Sequence, residues 1–215
     1  MPNIRVWDLP VRLFHWLLVI CVTGSFVTVK VGGNWMQYHF WFGYCILALI
    51  AFRILWGLVG TRYARFASFP PNPFRALAYL RDGHSNSLGH NPLGAWSVYG
   101  LLFIVGAQAV GGLFADDEIA NAGPLSKHVS NATVSLITSL HKLNEWVIIA
   151  IVMLHVGAIL YYLYKKRENL ISPMISGDKY SPHGGQSAND SWGTRVFAAL
   201  LLASCGAGVW WVITR

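Results

Sequence analysis

Long unbroken apolar runs, not a two- or three-residue alternation, organise this chain. They fall at about Leu13–Val29, Tyr38–Val59, Gly94–Phe114, Trp146–Tyr164 and Val196–Ile213, each near the roughly 20 residues a bilayer-crossing helix needs. In hydrocarbon every backbone N–H and C=O must find its partner within the segment, so runs of this length predict helices. The first run is short, and the fourth is expected to extend back through His141. Val134, Ile137, Leu140 and Leu143 recur three apart and predict a helix feeding that fourth run. The stretch from Gly60 to about Pro92, with Pro70, Pro71 and Pro73, is too long for a tight turn and predicts a surface helix near Phe74–Arg81. The Gly/Ser/Pro-rich segment Ser172–Ser191 predicts a flexible loop. The expected fold class is all-α, an integral membrane helical bundle.

Composition agrees. Of 215 residues, 54% are hydrophobic and 12% charged, against about 25% charged in soluble domains. Lipid contact over most of the surface explains the deficit. The net charge of +7 invites a nucleic-acid reading, but its distribution argues for topology instead. With a cytoplasmic N-terminus and alternating spans, twelve cations (Arg5, Arg12, Arg53, Arg62, Arg65, Arg75, Arg81, Lys165, Lys166, Arg167, Lys179, Arg195) fall on or near the inner side. Four (Lys30, Lys127, Lys142, Arg215) fall outside, together with the acidic run Asp116–Glu118. This positive-inside asymmetry places the N-terminus in the cytoplasm and the C-terminus in the periplasm. Arg53, near a span end, is expected to snorkel to the interface. Cys21, Cys45 and Cys205 each sit in an apolar run with no paired spacing or C-x-x-C-H, and read as packing residues. The first run lacks a small-residue cleavage site and reads as a retained helix.

Four of the eight histidines, His15, His39, His141 and His155, lie within or at the rims of apolar runs. Ionisable side chains are costly in a membrane and point to function. His141 and His155 are fourteen residues apart, about 21 Å along a helix and about 40° from the same face. They face one way but cannot share a metal ion. With antiparallel spans His15 comes level with His155, and His39 with His141. Each level then offers two imidazoles from two helices, the ligand set of a six-coordinate haem. Two firm axial ligands leave no open position, so the expected chemistry is electron transfer. Gly24, Gly43 and Gly157 are candidates for making room, for a macrocycle or for helix packing. Arg12, Arg53 and Lys142 are candidate propionate partners. His84, His90, His128 and His183 lie in loops and read as solvated. His90, ahead of Asn91-Pro92, also suits proton handling near a quinone, because an ordinary imidazole titrates near neutral pH.

Trp7-Asp8-Leu9-Pro10-Val11-Arg12-Leu13-Phe14-His15-Trp16 resembles the opening of the bacterial cytochrome b561 and Ni,Fe-hydrogenase b-type cytochrome family. Gly89-His90-Asn91-Pro92-Leu93-Gly94-Ala95-Trp96, Gly123-Pro124-Leu125, His141 with His155, and Lys166–Ile175 are similar to it too. The resemblance covers about Ile4–Gly177. It implies a four-helix di-haem core with two haem b groups, His15 and His155 ligating the inner one and His39 and His141 the outer. It also implies a place in the inner membrane between a quinone or quinol pool and a periplasmic c-type cytochrome or hydrogenase. On this basis residues 1–177 form the di-haem membrane domain, and 178–215 a linker and a fifth C-terminal transmembrane helix. A superoxide:quinone oxidoreductase acting at the outer haem is the alternative, so enzyme status stays open, as does an oligomeric state. A transporter or proton channel with histidine relays would need broken helices and a polar path, which these runs lack.

Overall fold

The computed structural model describes residues 3–83, 87–182 and 184–215; the expectations for His84 and His183 lie outside them. Its elements are β1 (Asn3–Arg5), α1 (Leu9–Val31), α2 (Met36–Val59), α3 (Pro73–Asp82), α4 (Pro92–Gly112), α5 (Asn131–Tyr164), α6 (Ile171–Ser176), β2 (Asp178–Tyr180) and α7 (Trp192–Ile213). Among the described residues, five helices are long and apolar enough to cross a membrane: α1, α2 with its preceding 3-10 turn, α4, α5 and α7. Four contain one predicted run each, and α4 holds the Gly94–Phe114 run as far as Gly112. The protein is an all-α, multi-pass membrane protein. At 34 residues, α5 is about 51 Å long and exceeds a hydrocarbon core of about 30 Å. Its N-terminal part is the predicted feeder helix.

Most of these helices start on a short polar side chain that accepts a first-turn N–H. Asp8 Oδ1 accepts from Val11 N at 2.7 Å, Asn72 from Arg75 N at 3.0 Å, and Asn91 from Gly94 N at 2.7 Å. Ser130 accepts from Thr133 N and Ser191 from Thr194 N. Large apolar side chains such as Leu58, Phe103, Leu154 and Leu200 are exposed along the spans, the arrangement expected where lipid is the solvent.

The chain divides into two compact units, each holding parts of the long helices. Unit one is Met1–Phe14, Arg53–Gly100 and Met153–Leu200; unit two is His15–Phe52, Leu101–Val152 and Leu201–Arg215. In unit one, β1 pairs antiparallel with β2, Ile4 opposite Lys179. The segment expected to be a flexible loop is therefore tied down. Arg5 binds Asp178 at 2.6 Å and Asp190 at 2.7 Å, the Tyr63 hydroxyl donates to the Gln186 carbonyl at 2.7 Å, and Ala188 N donates to Arg5 O. Composition predicted flexibility because these partners come from distant sequence. Arg53 also departs from expectation. It is 3% exposed, with its guanidinium 4.9 Å from the centre of the Phe66 ring, a cation–π contact in place of an interfacial anchor.

In unit two α1 packs on α2 where Gly24 meets Phe42. A Cβ on Gly24 would lie 2.5 Å from Phe42 Cζ, so Gly24 admits an aromatic ring, not a macrocycle. Gly24→Leu is expected to destabilise the protein by about 1–3 kcal/mol, the usual cost of overpacking. A lowered thermal-unfolding midpoint in detergent would register this; an unchanged midpoint would show that the contact is slack. All three cysteines are free thiols. Cys21 is buried, Cys205 is half-buried and Cys45 is exposed.

Candidate functional site

Unit two contains a cavity of about 410 Å³ lined by His39, Gly43, Gln108, Gly112, His141 and Lys142, among others. His39 comes from α2 and His141 from α5, and their ring centres are 6.4 Å apart with the planes at 83°. His39 Nδ1 lies 3.0 Å from the Ser25 carbonyl and 3.1 Å from its hydroxyl. An N–H donated to that carbonyl leaves Nε2 as the available ring nitrogen. His141 packs against α4, where Cβ atoms on Gly111 and Gly112 would come within 3.6 Å of Nδ1 and 3.1 Å of Cε1. Its Nδ1 is buried without a hydrogen-bond partner among the described residues. Gly43 has nothing within 4 Å of its Cβ position and opens onto the cavity.

An amide clamp sets the register of α5 on α4. Gln108 Nε2 donates to the His141 carbonyl at 3.1 Å, and Asn144 Nδ2 donates to Gln108 Oε1 at 2.9 Å and to the Ile104 carbonyl at 3.1 Å. Hydrogen bonds between membrane helices contribute about 0.6 kcal/mol on average; here they also hold His141 at a defined depth. Lys30 pairs with Glu145 one turn beyond His141. The Thr138 hydroxyl accepts the Asp116 N–H at 3.0 Å. Asp117 closes the acidic loop, accepting from the Asn121 side chain and from the backbone N–H groups of Ile119, Ala120 and Asn121. The Asn121 side chain, then these amides, hold its carboxyl well below the usual range.

In unit one His155 Nδ1 lies 3.2 Å from the Ser97 hydroxyl, which can donate to it or accept from it. His15 belongs to unit two and stands edge-on to Trp16 at 4.9 Å. Arg12 donates to the Ile175 carbonyl at 2.5 Å, so its guanidinium is engaged. His90 is not the solvated loop residue expected. It is wedged between Trp7 at 4.6 Å and Phe69 at 4.3 Å. Burial, and then the charge of Arg53, push its pKa down to about 3. The ring is neutral at physiological pH, which removes the reason for assigning it proton handling. A second cavity of about 340 Å³ lies here, lined by Arg75, Tyr79, His90 and Asn91 among others. His128 sits exposed in a 3-10 turn, as expected of a loop histidine.

The sequence reading missed Ser25, Ser97, Gln108 and Asn144. Their signal was available: each is a polar side chain inside an apolar span, where such residues tend to bear function.

Five apolar helices among the described residues, three of which (α1, α2 and α5) carry imidazoles within their length, place this molecule among the multi-pass membrane cytochromes. The family model for prokaryotic cytochrome b561 matches residues 6–177, and the chain belongs to that family. It is thereby a b-type cytochrome, a haem b protein of electron transport. Similar proteins include the probable Ni/Fe-hydrogenase B-type cytochrome subunit of Bradyrhizobium diazoefficiens, 25% identical over 83% of this chain and 86% of that protein. The probable Ni/Fe-hydrogenase 1 B-type cytochrome subunit of Escherichia coli K12 is 27% identical over 80% and 88%. The Cupriavidus necator counterpart is 24% identical over 80% and 85%. No solved structure matches the chain.

Proposed function

We propose that this chain is a di-haem b-type cytochrome carrying electrons through the inner membrane between the quinone pool and a periplasmic redox partner. The separation of His39 and His141 carries the reading. A metal–imidazole bond is about 2 Å and the ring centre lies about 1 Å farther, so two imidazoles on opposite sides of one metal have centres about 6 Å apart. The observed 6.4 Å fits, and it spans a cavity of about 410 Å³, within the roughly 300–1,000 Å³ typical of cofactor sites. In this reading His39 and His141 hold the outer haem, and His15 and His155 the inner. Bound haem supplies a one-electron iron couple in a low-dielectric interior. The chain's own residues tune and shield it. The Ser25 carbonyl on His39 fixes that ring's tautomer and strengthens it as a ligand, and the Ser97 hydroxyl on His155 orients the second ring.

Lys142 lines the cavity and is the propionate cation this geometry favours. Arg53 is sealed against Phe66 and Arg12 is bound to Ile175. The second cavity, in the unit that holds His155, offers Tyr79 and Asn91 to quinone carbonyls. The relatives' names favour a hydrogenase as partner, with a c-type cytochrome as the other candidate. The twelve-to-four cation asymmetry supports a cytoplasmic N-terminus. Residues 1–177 form the haem core in this reading, and 178–215 the linker and added span.

Substitution at Gly43 tests the cavity. Gly43→Ala should keep full haem content, because its Cβ meets nothing within 4 Å. Gly43→Leu should fill the cavity and lower haem per chain, measured as pyridine haemochrome. Equal haem content in both variants would show that the cavity is not the haem site.

A further inference from the structure

We infer that α3 is a membrane-surface helix that docks its outward stripe into an anionic phospholipid leaflet. α3 lies between the spans ending at Val59 and beginning at Pro92, so the chain holds it at one face of the membrane. Phe74, Leu77 and Leu80 recur three apart, form one stripe, and are 81%, 51% and 65% exposed. The roll of the helix is fixed from the other side. Tyr79 is buried, and its hydroxyl shares a 2.7 Å hydrogen bond with that of Tyr162. Asn72 caps the first turn, and Gly83 ends the helix in the left-handed conformation. The stripe therefore points away from unit one by construction.

Charge identifies what it meets. Arg75 and Arg81 on α3 are exposed, as are Arg62, Arg65, Lys165 and Lys166 in the same unit. Against them, Glu168 is paired with Lys179, and Asp82 is the acidic side chain that α3 carries. A short helix with an apolar stripe, flanked by cations and continuous with membrane spans, fits the boundary between headgroups and acyl chains. Phe74, Leu77 and Leu80 sit at the acyl boundary, and Arg81, on the same side of α3, pairs with lipid phosphate, an arginine near an anionic surface strengthening docking about fivefold.

Amide hydrogen exchange of residues 74–82 tests this in the full haem-loaded chain. Nanodiscs of phosphatidylcholine alone are compared with discs containing phosphatidylglycerol. Exchange should be slower in the anionic discs. The variant Arg81→Gln removes one exposed side chain on the stripe's side of α3 and should lose about fivefold of that extra protection, with no change in phosphatidylcholine. Leu77→Ser/Leu80→Ser should exchange faster in both lipids. Equal wild-type exchange in the two lipids overturns the inference, as does extra protection that is undiminished in Arg81→Gln. Protection that appears only on adding a soluble protein also overturns it.

Discussion

On the proposed di-haem reading, replacing His141 with alanine is expected to halve the haem content, from two haems per chain to one. The ring is one of two that line the unit-two cavity with centres 6.4 Å apart; without it one of the proposed axial ligands is gone. His39→Ala should have the same effect. His155→Ala should remove the other haem, because fourteen residues of helix separate it from His141, about 21 Å. Pyridine haemochrome per polypeptide counts the haems, and a redox titration of the alpha band should change from two components to one. A haem that survives with one ligand would have an open position and bind carbon monoxide. A His141→Ala protein with two haems, an unchanged titration and no carbon monoxide binding would refute the ligand assignment. Retention of the second haem in each variant separates lost ligation from lost folding.

Asp8→Ala should be the most destabilising single change in unit one. Asp8 is 1% exposed. Its carboxylate accepts from Val11 N at 2.7 Å, from Trp56 Nε1 at 3.1 Å, and from the Thr61 hydroxyl. It thus ties the start of α1 to the end of α2 and the turn beyond. Alanine leaves those donors buried and unsatisfied, at about 1–3 kcal/mol each, so a loss of roughly 3 kcal/mol or more is expected. Thermal unfolding in detergent should show it. Asp8→Asn keeps one acceptor oxygen and should lose less.

The same carboxyl sets a pH dependence. Burial is the largest influence and raises the Asp8 pKa, against the hydrogen bonds from Thr61, Val11 and Trp56 that lower it. The native state therefore holds the proton more tightly than the unfolded chain. Asp8's contribution is most favourable below the ordinary aspartate range and is lost as pH rises through the raised native value. The difference in unfolding midpoint between wild type and Asp8→Asn should follow that direction; a difference that does not vary with pH in that window would remove Asp8 as its source.

Residues that depend only on their neighbours in sequence were legible. The five spans follow from apolar run length, and the α3 and α5 extensions from spacing and loop length. The helix starts at Asp8, Asn72, Asn91, Ser130 and Ser191 carry their own chemical signal in a side chain three residues from the amide it caps. The four intramembrane histidines stood out because polar groups in lipid are costly. Gly24 and Gly43 look alike in sequence, yet one is filled by Phe42 and the other faces a cavity.

Sequence alone determined that the protein spans a membrane with five helices and carries imidazoles inside them, because lipid imposes length and polarity rules on each segment separately. Only the tertiary structure decided that the His39 and His141 rings come within 6.4 Å of each other in the lining of one cavity, and that His90 is shielded between Trp7 and Phe69. It also decided that Arg53 stacks on Phe66 and that β2 ties the 172–191 segment to the N-terminus. Those outcomes depend on atoms brought together from as far apart as Asn3 and Tyr180, and a side chain's environment is a property of its spatial neighbours.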